Sequence, residues 1–179
     1  MIVGLLLLIL VSLYVFVLSR YRRAGPNEAL VIYGTGRIRV ITSGGAVVWP
    51  LINDWATLSL EPFGLDWNPV TGKTADGAIV TLDGVSQLKI DSQPDALRIA
   101  AEVLLHKTSE EMAAVARGAV TDGILQLINE RTAEELRALE GKLEMNLRAA
   151  EAVDQHLRTV GLRVVSINVE EVKFAAPPN

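Results

Sequence analysis

The run "MIVGLLLLILVSLYVFVLSRYRR" constrains this chain more than any other part of it. From Ile2 to Leu18 no residue is charged, and at ~1.5 Å rise per residue the run makes roughly 25 Å of helix. Extended to Tyr21 it comes close to a full bilayer span. Leu5, Leu6, Leu7, Leu8, Ile9, Leu10, Val11, Leu13, Val15, Phe16, Val17 and Leu18 form the expected membrane anchor. A cleaved secretory leader would carry its positive charge before the apolar core and a small-residue cleavage site after it. Here the strong charges are Arg20, Arg22 and Arg23, all on the C-terminal flank. By the positive-inside rule the expected arrangement is a single-pass anchor in the cell membrane, with the rest of the chain cytoplasmic and the three arginines at the lipid headgroups.

Charge separates anchor from body. The 179 residues hold 17 basic and 21 acidic side chains, and removing the three flank arginines leaves 14 against 21, a net of −7. Such an acidic body lacks the basic footprint that nucleic acid requires. No cysteine is present, which excludes disulfides, thiolate catalysis and cysteine-bound zinc. The two histidines, His106 and His156, both fall in helical patterns, fifty residues apart. No catalytic residue, metal site, cofactor or small-molecule substrate is expected. The Asp-Gly pairs at Asp76, Asp83 and Asp122 read as turn or helix-end punctuation, and Asp83-Gly84 as a bulge or tight turn.

The stretch "GPNEALVIYGTGRIRVITSGG", Gly25 to Gly45, carries a Gly34-Thr35-Gly36 that invites comparison with a dinucleotide loop. The third glycine of that fingerprint is missing, and "RIRVI" alternates with period two where a helix is required. The glycines are expected in a hairpin between two strands. Further strands are predicted at "AVVWP", "ATLSL" and "AIVTLDGVSQLKI", separated by Gly44-Gly45, Pro50, Asn53-Asp54, Pro62, Gly64, Pro69, Gly72 and Asp76-Gly77. Five short strands suggest one small antiparallel sheet. Trp49, Trp55, Phe63 and Trp67 are concentrated here, mostly as core, with one or two at turn tips able to dip into a membrane interface.

The second half reads as helical. Ser92 and Pro94 open a helix, and the pairs Thr108/Glu111 and Thr132/Glu135 fit capping boxes. The last helix is expected to end at Gly161. "LRVVSINVEEV" then alternates as a strand, with Leu162, Val164, Ser166 and Asn168 on one side and Arg163, Val165, Ile167 and Val169 on the helix-packed other.

Taken in order, "GPNEALVIYG", "GGAVVWP", "LSLEPFGLDW", "VTLDGVSQLKI", "AAEVLL", "INERTAEEL" and "GLRVVSINVEEV" resemble the SPFH or band 7 superfamily, which includes stomatins, prohibitins and flotillins, and look most like bacterial flotillins. The resemblance covers Gly25 to Val172. It implies an α+β chain: an anchor with basic flank over 1–23, a β-rich SPFH1 subdomain over 24–91, an SPFH2 subdomain of helices and a closing strand over 92–174, and a tail over 175–179. It also implies a non-enzymatic scaffold that oligomerises laterally and organises membrane microdomains, with an NfeD-like membrane protein as a possible partner. The alternatives are a regulatory subunit of a membrane protease complex and a lone anchored partner-binding module. The family continues from its last strand into a long Ala/Glu-rich coiled coil, whereas this sequence stops at "KFAAPPN". The acylated cysteines of eukaryotic flotillins are absent, so attachment is expected to rest on the anchor.

Lateral contacts are expected along Ala133 to Val160. Leu136, Leu139, Leu143, Leu147 and Ala150 recur at spacings of three and four as one apolar stripe. That stripe can pack on the closing strand of its own subunit, while Arg137 and Arg148, with Glu134, Lys142 and Glu151, offer mixed charges to a neighbouring copy.

Overall fold

The computed structural model describes residues 2–34, 36–49 and 51–175; the side chains of Ile2 and Leu5 in the first helix, and most of the expected tail, lie outside that description. The order of elements is α1 (Ile2–Ser19), β1 (Tyr21–Arg23), β2 (Glu28–Gly34), β3 (Arg39–Ile41), β4 (Gly45–Val47), β5 (Asn53–Ser59), β6 (Phe63–Lys73), β7 (Ile79–Ile90), α2 (Pro94–Leu104), α3 (Ser109–Glu130), α4 (Ala133–Leu139), α5 (Leu143–Arg158) and β8 (Leu162–Phe174). Mixed α and β structure with antiparallel sheets agrees with the expected class. Two compact units divide the chain after Leu60, so β6 and β7 belong with the helices rather than with the strands before them.

The single-pass span needs correction. Helix α1 has 18 residues, about 27 Å at 1.5 Å per residue, and among the described residues no helix is long and apolar enough to cross a membrane. The extension to Tyr21 fails because Tyr21–Arg23 leave the helix to pair with β4, Tyr21 opposite Val47 and Arg23 opposite Gly45.

The remainder of the first unit is a three-stranded sheet in the order β3-β2-β5. The expected hairpin is present, with Leu30 opposite Ile41 and Ile32 opposite Arg39; Thr35 lies outside the described residues. Central strand β2 buries Ala29, Leu30, Val31 and Ile32 in succession, and Leu30, Ile32 and Val48 form a core against Ala24, Ile41 and Ala46.

The second unit is built on the sheet β6-β7-β8, which replaces the single small sheet expected. Strand β6 was concealed by its Pro and Gly residues. Pro69 sits at the irregularity between Trp67 and Val70, where an edge strand tolerates a missing N–H. Strand β7 alternates cleanly, burying Val80, Leu82, Gly84, Ser86, Leu88 and Ile90. It runs straight through Asp83-Gly84, and the extra residues of the bulge there fall on its partners.

Strand β8 differs from its predicted alternation. Its register with β7 slips twice, between Ser166 and Val164 and between Glu171 and Val169, so Val165 and Glu170 are the unpaired residues. Each bulge flips the pleat. Leu162, Val164, Ile167, Val169, Val172 and Phe174 are therefore the buried or half-buried set, and Val165 is exposed.

Both capping boxes form, Thr108 with Glu111 and Thr132 with Glu135. Pro94 opens α2, but Gln93 is the residue before it and supplies no side-chain cap; the Asp91 carboxylate instead accepts from the Gln93 N–H at 3.2 Å. His106 is not helical: it has a φ of 68° just after α2. Asp122-Gly123 lies inside α3 and not at its end, because Gly123 lets α5 approach: a Cβ there would stand 2.6 Å from the Val153 Cα. Gly161, with φ of 76°, follows α5 as expected.

Candidate functional site

The end of α1 is tied at once into sheet structure. The Val48 N–H donates to the Arg20 carbonyl at 3.0 Å, and the Ala24 N–H donates to that of Gly44 at 3.1 Å. These bonds flank the β1–β4 pairing, so the three flank arginines sit on fixed backbone. Strand alternation then sends Arg20 and Arg22 to one side and Arg23 to the other. The Arg20 guanidinium lies over the Phe16 ring, 5.2 Å from its centroid, and that of Arg22 over Trp55 at 4.8 Å.

Arg20 and Arg22 line a cleft of about 450 Å³ with Tyr33, Gly34, Val48, Leu51, Ile52, Asn53, Asp54 and Trp55. Its carboxylate, Asp54, accepts from the Trp55 N–H at 2.8 Å and is hydrogen-bonded to Tyr33. Burial first, then this negative neighbour, pushes the Tyr33 hydroxyl pKa up. Arg20 Nε is buried with no hydrogen-bond partner. Of its lining residues Ile52 is half exposed and Leu51 is 98% exposed; Trp49, outside the lining, is half exposed as well. Trp67, by contrast, is core at 1%. The sequence marks the arginines, but Asn53-Asp54, expected as a turn, opens β5 instead, and only the pairing of β2 with β5 brings residues 53–55 beside Tyr33 and Gly34.

Along α1, Leu6, Leu7, Leu8, Ile9, Leu10, Val11, Leu13, Val15, Phe16 and Leu18 are all exposed, and Val17 is half-buried. Apolar side chains therefore face outward around the whole circumference.

The expected lateral-contact residues separate in the second unit. Gly141, with φ of 69°, breaks the segment into α4 and α5, and with it the proposed continuous stripe. Leu136 is fully buried and Leu139 half-buried. The buried face of α5 is Met145, Ala149, Val153 and Leu157, which leaves Leu143 and Leu147 at 73% and 61% exposed. Arg148 is flanked on its own helix by Glu144 at 3.6 Å and Glu151 at 3.8 Å, and Arg137 lies over Phe174, 4.6 Å from the ring centroid.

Helix α5 also covers the free edge of β8. Asp154 accepts from the Val164 N–H at 3.2 Å and Asn146 from that of Val169 at 2.9 Å, which blunts an otherwise open strand edge. Between these two ties lies a groove of about 440 Å³ lined by Leu143, Leu147, Ala150, Arg163 and Val165.

Comparison with known proteins gives a consistent pattern. The model of the SPFH domain / Band 7 family matches residues 22–177. The chain is 27% identical to flotillin-like protein FloT of Bacillus subtilis, over 97% of its own length and 36% of that relative's. It is 28% identical to flotillin-2 of Carassius auratus and 26% to flotillin-2 of Homo sapiens, over 83% of this chain and 35% of each relative. The chain thus spans about a third of the length of the curated relatives it matches.

Proposed function

Because the chain belongs to the SPFH domain / Band 7 family, we propose that it acts as a membrane-associated, non-enzymatic scaffold of the flotillin kind. The observation that carries the reading is α1, whose apolar side chains are exposed around its whole circumference. An interfacial amphipathic helix keeps a polar face, and α1 has none, so its favourable environment is lipid on all sides. Since no helix among the described residues is long and apolar enough to cross a membrane, α1 is read as embedded in the bilayer rather than as a single-pass span. The flank arginines, at the C-terminal end of α1, favour the anionic headgroups of the cytoplasmic leaflet and so place the body on that side.

Lateral assembly in the membrane plane is the second part of the reading. Leu143 and Leu147, exposed beside Arg148, are the contact candidates, and confinement by the anchor raises their effective concentration. Organisation of microdomains and pairing with an NfeD-like membrane protein are what such an assembly would serve. Flotation of the full chain with vesicles, followed by crosslinking, tests both parts. The expected result is flotation with a ladder of crosslinked species that Leu143→Glu and Leu147→Glu shorten. A chain that floats but stays monomeric would replace the scaffold by a lone anchored partner-binding module.

A further inference from the structure

We infer that the cleft between Arg20 and Arg22 is a phosphate-ester site, and that the ester it takes at the membrane is an anionic phospholipid headgroup. This deepens the proposed function and rests on its embedding of α1.

The cleft is built for an anion. Two guanidinium groups line it, each stacked on an aromatic ring, Arg20 over Phe16 and Arg22 over Trp55. Stacking fixes the plane of a guanidinium and leaves its in-plane donors free for a planar or tetrahedral oxyanion. Among the described residues neither arginine has an acidic partner, and Arg20 Nε is a buried donor with nothing to donate to. Burying an unpaired donor is unfavourable unless something arrives to accept from it. Asp54 reduces the positive charge of the cleft but does not cancel it: its carboxylate is engaged by Tyr33 and by the Trp55 N–H, and two cations face one anion. Phosphate suits this donor set because its oxygens accept from arginine in bidentate fashion.

The position of the cleft selects the source. It begins at Arg20, directly after the last residue of α1, and its lining residues Leu51 and Ile52 are exposed apolar groups, as is Trp49 two positions before Leu51 in the chain. Tryptophan and aliphatic side chains beside arginines match the boundary between acyl chains and headgroups. A lipid with its chains against Leu51 and its phosphate between Arg20 and Arg22 satisfies both chemistries. Arg23 is the internal control, since it stands on the other side of β1 and does not line the cleft.

The test uses the full chain reconstituted in phosphatidylcholine containing phosphatidylglycerol as the minority lipid. After detergent extraction the co-purifying lipid is quantified. The unaltered chain and Arg23→Gln should retain a several-fold enrichment of phosphatidylglycerol, and Arg22→Gln, alone or with Arg20→Gln, should lose it. Enrichment unchanged in Arg22→Gln, or lost equally in Arg23→Gln, overturns the site in favour of diffuse surface charge. In a second arm, inorganic phosphate is titrated against tryptophan fluorescence in detergent. A response that vanishes in Arg22→Gln supports the phosphate chemistry; free phosphate that also displaces the lipid overturns the lipid as its source. Failure to float with any vesicle sinks the embedded reading of α1 instead, and the phosphate arm still decides the cleft.

Discussion

The Asp76 carboxylate closes over the start of α4, accepting from the Ala133 N–H at 3.1 Å across 57 residues of sequence. It accepts also from the Thr74 hydroxyl, and the neighbouring Ala75 N–H donates to the Arg131 carbonyl at 2.8 Å. The β6–β7 turn is thereby clasped to the junction between α3 and α4.

Acid should release this clasp. The hydrogen bond from Thr74, and after it that from Ala133, hold the Asp76 carboxyl below the ordinary carboxylate range. A lowered folded-state pKa contributes stability above the unfolded value, and that contribution is lost as pH falls through the folded one. Asp76→Asn should therefore melt earlier than the unaltered chain at neutral pH, with the gap closing once the pH drops below the usual carboxylate pKa. Circular-dichroism melts across that window check it; a gap independent of pH would show that shape rather than charge matters there.

Two glycines of α3 should respond in opposite directions. Gly123→Ala would press a methyl group to within 2.6 Å of the Val153 backbone, and overpacking of this kind costs about 1–3 kcal/mol. Gly118 has nothing within 4 Å of its would-be Cβ, so Gly118→Ala should stabilise by about 0.4–1 kcal/mol. Urea denaturation of the two variants reads the difference in sign.

Charges in the middle of α1 should detach the protein. Leu7→Arg and Ile9→Arg each place a guanidinium where insertion costs about 2.5–3.5 kcal/mol. The double variant is expected in the soluble fraction with its circular-dichroism spectrum retained, since neither side chain belongs to a folded core. Persistence in washed membranes would transfer attachment to the exposed side chains of Trp49, Leu51 and Ile52.

Orientation can be read from one added thiol, because the chain has no cysteine of its own. Lys142→Cys, at an exposed position between α4 and α5, should resist membrane-impermeant thiol reagents in intact cells and react after lysis. Ready labelling from outside would overturn the cytoplasmic side proposed from Arg20, Arg22 and Arg23.

What the sequence by itself determined was chemistry contained within a few neighbouring residues. Thr108 and Thr132 each meet a glutamate three positions on, and both boxes form because that spacing alone sets the geometry. The apolar character of α1 and the hairpin of β2 with β3 were legible for the same reason, as was the family, through seven short stretches in order. Tertiary structure decided whatever depended on a distant strand or helix. Tyr21 is not helical because β4 pairs with it, and β6 is a strand despite Pro69 and Gly72 because β7 supplies its partner. The inward set of β8 shifts twice because Val165 and Glu170 are left over when it is laid against β7, a mismatch that no alternation within β8 can reveal. Leu143 and Leu147 share the spacing of a buried stripe, yet Gly141 resets the helix and Met145, Ala149, Val153 and Leu157 take the inner face. The cleft follows the same rule: Arg22 and Trp55 are 33 positions apart, and only the pairing of β1 with β4 and of β2 with β5 sets one over the other at 4.8 Å.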